Sequence, residues 1–114
     1  MELQYSELDN QIKLLKLIGS LDILGVGAIE TKFAAYCSGE NARVIVDLSQ
    51  VHFLASIGIR LLTINAKSLT TRGGRMALLS PTPEVRKTLD VTGIVDVIPV
   101  YDGIESAETM LLAI

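Results

Sequence analysis

Ahead of Arg60 the chain places its sole histidine, His52, four residues before Ser56, a serine set among apolar side chains and two residues before Gly58. An imidazole near a hydroxyl suggests nucleophilic hydrolysis, in which the ring takes the hydroxyl proton. The surrounding Leu54-Ala-Ser-Ile-Gly58 lacks the glycine that precedes the serine in a strained nucleophile elbow. His52 therefore reads as a part-buried loop residue rather than a base. Gly25-Val-Gly27 hints at a dinucleotide loop, but the third glycine is missing and Glu30 would set a negative charge against a pyrophosphate. Asp47 closes an aliphatic run as a receiver-domain phospho-acceptor would, yet no early acidic pair is present to hold the required Mg²⁺. It reads as a strand-end capping residue. Glu105 and Glu108 fall on a solvated helix and do not form a glycosidase pair. Cys37 stands alone, so the chain builds neither an internal disulfide nor a cysteine metal site. No metal and no cofactor are expected.

Ser56 is left, and its position at a helix start gives it two uses. Its hydroxyl can cap the free amides of the first turn. The same amides, with the helix dipole, also favour a phosphate carried on that hydroxyl. Phosphoserine would bring nearly two negative charges into an uncharged, apolar stretch, while Gly58 would let a partner's backbone come close. That describes a switch rather than a catalyst.

The elements that must position Ser56 follow from periodicity. Leu3–Leu8 and Gln11–Ile18 read as strands joined by a tight turn at Asp9-Asn10. Asp22 caps a helix carrying Ile23, Val26, Ile29 and Phe33 at helical spacing, which ends near Ser38-Gly39. Arg43–Leu48 has the aliphatic run of a strand covered on both faces and is the candidate centre of the sheet. A loop over Ser49–Ala55 leads to a helix from Ser56 to Thr71. Its polar stripe is Arg60, Thr63, Lys67 and Thr71, and more than half of its circumference is apolar, enough to meet both the sheet and another protein. Arg75–Leu79 is a short strand. Thr82, Pro83 and Gly93 mark the cap, first residue and stop of the next helix. Val95–Val100 reads as a last strand that Pro99 places at an edge, and Asp102 with Glu105 as the capping box of a C-terminal helix. The order ββαβαβαβα predicts an α/β sandwich with a mixed, partly parallel sheet.

Length and charge narrow the partners. The 114 residues suit a single domain, 1–114. A formal net charge of -3 and a pI near 5.0 argue against nucleic acid, and Lys67, Arg72 and Arg75 read as a solvated helix end. The opening MELQYSELDN does not read as a secretory signal. Mean hydropathy is +0.44, yet Lys13, Lys16 and Asp22 interrupt the most apolar region, so no membrane span is expected and the cytoplasm is the expected location.

Five segments in register with these elements carry a family resemblance: Gly19-Ser-Leu-Asp22, Val44–Ser49, Phe53–Leu62, Gly73-Gly74 and Val85–Gly93. Together they resemble the STAS domain, and the chain is similar to a free-standing bacterial anti-sigma factor antagonist, also called an anti-anti-sigma factor. The resemblance implies a STAS-type sandwich and a partner-switching role in transcription. By that resemblance the unmodified protein is expected to bind an anti-sigma factor that is also a serine kinase, to be released by phosphorylation and to be reset by a serine phosphatase. The matching acceptor position is Ser56. The implied contact surface comprises His52 and Ala55 in the preceding loop, Ser56, Ile57, Gly58 and Ile59, then Arg60 and Thr63 of the polar stripe, with Asp22 nearby. At the positions flanking the serine the chain departs from many members, with Ala55 and Ile57. Monomer and homodimer both stay open. So does a second reading, a non-phosphorylated scaffold subunit of a transport or stress-signalling complex; an enzyme or nucleotide-binding module has no paired base, metal cluster or phosphate loop to support it.

Overall fold

The structure, a computed structural model, describes residues 1–113. Strand β1 (Glu2–Glu7), strand β2 (Lys13–Leu21), helix α1 (Ile23–Tyr36), strand β3 (Arg43–Leu54), helix α2 (Ser56–Thr71), strand β4 (Arg75–Leu79), helix α3 (Pro83–Thr92), strand β5 (Val100–Tyr101) and helix α4 (Ile104–Leu112) follow in the expected order. The strands lie side by side in sequence order, β1 antiparallel to β2 and the others parallel, with β3 at the centre.

Alternation of side chains along the central strands explains why both faces are apolar. Val44, Val46, Met76 and Leu78 pack with Val26, Ile29 and Phe33 of α1, Leu62 and Leu69 of α2, and Val85 and Leu89 of α3. Ile45, Ala77 and Leu79 point the other way and meet Ala107 and Leu111 of α4. Three helices thus cover one face, and α4 alone covers part of the other. Arg43 fastens α4 by donating from Nε to the Leu111 carbonyl at 2.9 Å. At the end of α1, Lys13 donates to the Tyr36 carbonyl at 3.0 Å, and the Tyr36 ring stacks on Tyr5 with centroids 4.4 Å apart. Cys37 is buried beside them. Burial pushes its thiol up to about 12, only partly opposed by the Lys13 charge, so it serves as packing rather than as a nucleophile.

Several local expectations are corrected. The first connection is a 3-10 turn over Asp9–Gln11 rather than a two-residue turn; Asn10 and Gln11 both take positive φ, and β2 starts only at Lys13. Helix α1 stops at Tyr36, and Ile23 lies exposed instead of joining the buried stripe. The expected strand Val95–Val100 is strand only at Val100: a 3-10 turn over Ile94–Asp96 and irregular chain precede β5, which is Val100–Tyr101 at the sheet edge. Gly103, not Asp102, precedes the first turn of α4, and no side chain caps it. Asp47 lies inside β3, where its carboxylate accepts from the Ser49 amide at 2.9 Å. Among the described residues no helix is long and apolar enough to cross a membrane.

Candidate functional site at the first turn of α2

The largest correction concerns the stretch before Ser56, which is strand rather than loop. β3 runs on to Leu54, and its second half pairs with the end of β2: Ile18 with Gln50, Gly19 with Val51, Ser20 with Phe53 and Leu21 with Leu54. Register shifts occur on either side of the Ile18 and Gly19 pairs, and the second skips His52. Such bulges twist a strand and re-aim its end. Here they deliver Ala55, whose amide donates to the Leu21 carbonyl at 3.0 Å, and launch α2 from the tip of β2.

Two glycines let both helix starts approach that tip. A Cβ on Gly25 would sit 1.9 Å from the Ser20 carbonyl oxygen, and one on Gly58 would sit 2.8 Å from the Leu21 oxygen. Gly58 is buried, so its missing side chain admits β2 and not a partner's backbone. The Ser20 contact likewise accounts for Gly25 without any nucleotide, whereas Gly27 faces open space and no contact requires its glycine.

The remaining site residues separate into scaffold and surface. Asp22 is the cap of α1, its Oδ1 accepting from the Gly25 amide at 2.8 Å. At α2 the cap position belongs to Ala55, which has no acceptor to offer, and Ser56 is the first helical residue. The expected capping by Ser56 is therefore absent; its hydroxyl stands exposed beside first-turn amides that no side chain caps. Extended backbone at Ala55, φ -89 and ψ 171, is what shifts the helix start by one residue. His52 is exposed on β3, not part-buried in a loop. Thr63 is half-buried and donates back to the Ile59 carbonyl at 2.8 Å, and Ile59 packs against the main core. Ile57 and Arg60 reach the surface.

Ser56 forms a ridge between two clefts. An open groove of about 770 Å³ runs between α1 and α2, with Val26, Ile57 and Ile64 on its walls and Glu30 and Arg60 as its charged residues. A second cleft of about 370 Å³ lies toward α3, between Phe53 and Ile59 on one side and Thr88 and Thr92 on the other. Sequence reasoning missed several apolar residues left exposed at these helix and strand ends and on α2. Ile23 is 74% and Leu24 84% exposed at the start of α1, Phe53 56% at the end of β3 and Ile64 51% on α2. Ile23, Leu24 and Phe53 flank helix or strand ends, where periodicity says least about facing. The signal for Ile64 was available, because the apolar arc of α2 is wider than the sheet can cover.

A family model described as the STAS domain matches residues 6–107. Two bacterial relatives accompany it. BtrV of Bordetella bronchiseptica, proposed as an anti-sigma factor antagonist, is 26% identical over 107 residues, covering 94% of this chain and 91% of its own. The anti-sigma F factor antagonist of Lysinibacillus sphaericus is 30% identical over 95 residues, covering 82% and 81%. The anti-sigma factor antagonist SpoIIAA of Bacillus shares the fold at 22% identity. Its unphosphorylated form gives a TM-score of 0.77 over 96% of each chain, and its phosphorylated form 0.70 over 96% of this chain and 99% of that one.

Proposed function

From a chain that belongs to the STAS domain family, we propose an anti-sigma factor antagonist that switches partners through Ser56. Unmodified, it docks on an anti-sigma factor through the apolar surface around the first turn of α2 and so frees a sigma factor for transcription in the cytoplasm. That anti-sigma factor is also a serine kinase: it moves the γ-phosphoryl group of ATP to Ser56 Oγ, the hydroxyl loses its proton, and ADP and the phosphoprotein separate. A serine phosphatase returns the hydroxyl. His52, Ala55, Ile57, Ile59, Arg60 and Thr63 belong to the proposed contact region, whereas Asp22 and Gly58 hold its shape.

One observation carries the reading: an exposed serine hydroxyl on a ridge between two apolar clefts, at a helix start that no side chain caps. The arrangement allows binding and its reversal at the same atoms. Phosphate at this point sets close to two negative charges against a partner surface otherwise shaped for apolar contact, which weakens binding by roughly a thousandfold. Two relatives described as anti-sigma factor antagonists and one relative known in phosphorylated and unphosphorylated forms add support.

The test is a titration of the anti-sigma factor kinase with Ser56→Ala and Ser56→Asp. The alanine variant binds whether or not ATP is present, and the aspartate variant binds weakly; equal affinities would end the proposal. The exposed Ile57 and Ile64 would also suit a constitutive scaffold subunit, which needs the surface but no phosphate. The mass of the Ser56 peptide, taken from protein purified with its partners, separates the two.

A further inference from the structure

The groove beside Ser56 holds a cation whose place on the helix gives it a specific task. Arg60 lies four residues after Ser56 on α2, and both line the groove between α1 and α2. Residues at this spacing are neighbours on one helix face, with Cβ atoms about 5–6 Å apart. Helical side chains lean toward the N-terminus and cover the turn before their own Cα, so a long side chain at Arg60 is placed to reach back over the first turn. Arg60 is exposed and has no acidic partner among the described residues. Its planar fork matches phosphate oxygens two at a time.

We propose that Arg60 receives the phosphate of Ser56 and folds it across the mouth of the α1/α2 groove. The inference rests on the reading of Ser56 as the acceptor and adds a regulatory consequence to it. Before modification, Glu30 and Arg60 contribute one negative and one positive charge to the groove, which cancel, and Arg60 is open to a carboxylate of the partner. Afterwards the guanidinium is occupied and the groove is left with an excess of nearly two negative charges. Release then has two sources, repulsion by the phosphate and loss of Arg60 as a docking cation. The other titratable groups near the site are Asp22, committed to the α1 cap, and His52 on β3; α3 contributes Thr88 and Thr92, which do not titrate.

The test uses the full chain with phosphoserine installed at position 56 by an expanded genetic code, so that no kinase is involved. ³¹P NMR at low salt follows the second ionisation of the phosphate. A cation in contact favours the dianion, so the midpoint lies below that of the same chain with Arg60→Gln by about half a pH unit. Lys67→Gln, further along the exposed polar stripe, leaves it unchanged. Equal midpoints for the parent and Arg60→Gln, or an equal shift from Lys67→Gln, overturns the proposal. Because the phosphate is installed synthetically, this result is independent of whether cells modify Ser56; the absence of phosphate on the Ser56 peptide in cells would instead refute the function proposed above.

Discussion

The starts of α1 and α2 lie side by side at the tip of β2, and they are built differently. Each helix presses a glycine against that tip, Gly25 on the Ser20 carbonyl and Gly58 on the Leu21 carbonyl. At α1 the aspartate before the first turn spends its carboxylate on the Gly25 amide. At α2 an alanine occupies the same position and a free serine follows. At α1 a side chain closes the first turn, whereas at α2 the equivalent Gly58 amide turns back to the Ala55 carbonyl at 2.9 Å and no side chain takes part. A single side chain at the cap therefore separates a helix start that supports the fold from one that can accept a new charge.

Breaking the shared part of this arrangement has the largest effect on stability. Gly25→Ala forces a Cβ against a backbone oxygen that cannot step aside, and chemical denaturation should show a loss of about 3 kcal/mol. Gly58→Ala costs less, about 2 kcal/mol, because its contacts begin at 2.8 Å rather than 1.9 Å and one of them, Leu54 Cδ1, is the end of a side chain that can turn aside, while the Leu21 Cβ and carbonyl oxygen stay fixed. The ranking matters as much as the values: Gly58→Ala as the more damaging change would contradict the packing described here.

The capping difference is sharpened by two further substitutions. Asp22→Ala removes a made hydrogen bond and lowers stability by about 1 kcal/mol. Ala55→Ser supplies the side-chain acceptor that α2 lacks, and because the Gly58 amide already reaches the Ala55 carbonyl the gain is small, about 0.5 kcal/mol, read as a slight upward shift in Tm. Loss of stability in the second variant would mean that the amides of α2 are already satisfied.

What was legible in the sequence was local chemistry. Thr82, Pro83 and Gly93 bracket α3 as their types require, with the Thr82 hydroxyl accepting from the Val85 amide and Gly93 in the left-handed region at φ 75. The aliphatic run at Val44–Val46 identified the strand buried on both faces. The limits of α2 were readable too, and with them the location of Ser56. The second half of β3 was not, because Ser49, Gln50 and His52 interrupt its apolar pattern and its bulges spoil the alternation; only pairing with β2 makes it a strand. The two tight glycines were visible as glycines, but their reason lies in a neighbouring strand distant in sequence. For the same reason Ser56 read as a cap: one residue of extended backbone at Ala55 moves it into the helix and frees its hydroxyl.

The most direct test of the role proposed for this helix start compares affinities for the proposed anti-sigma factor kinase, measured by calorimetry with the unmodified chain and with phosphoserine installed at Ser56. Binding weaker by roughly a thousandfold after phosphorylation is the predicted result. Equal affinities for the two forms would contradict it.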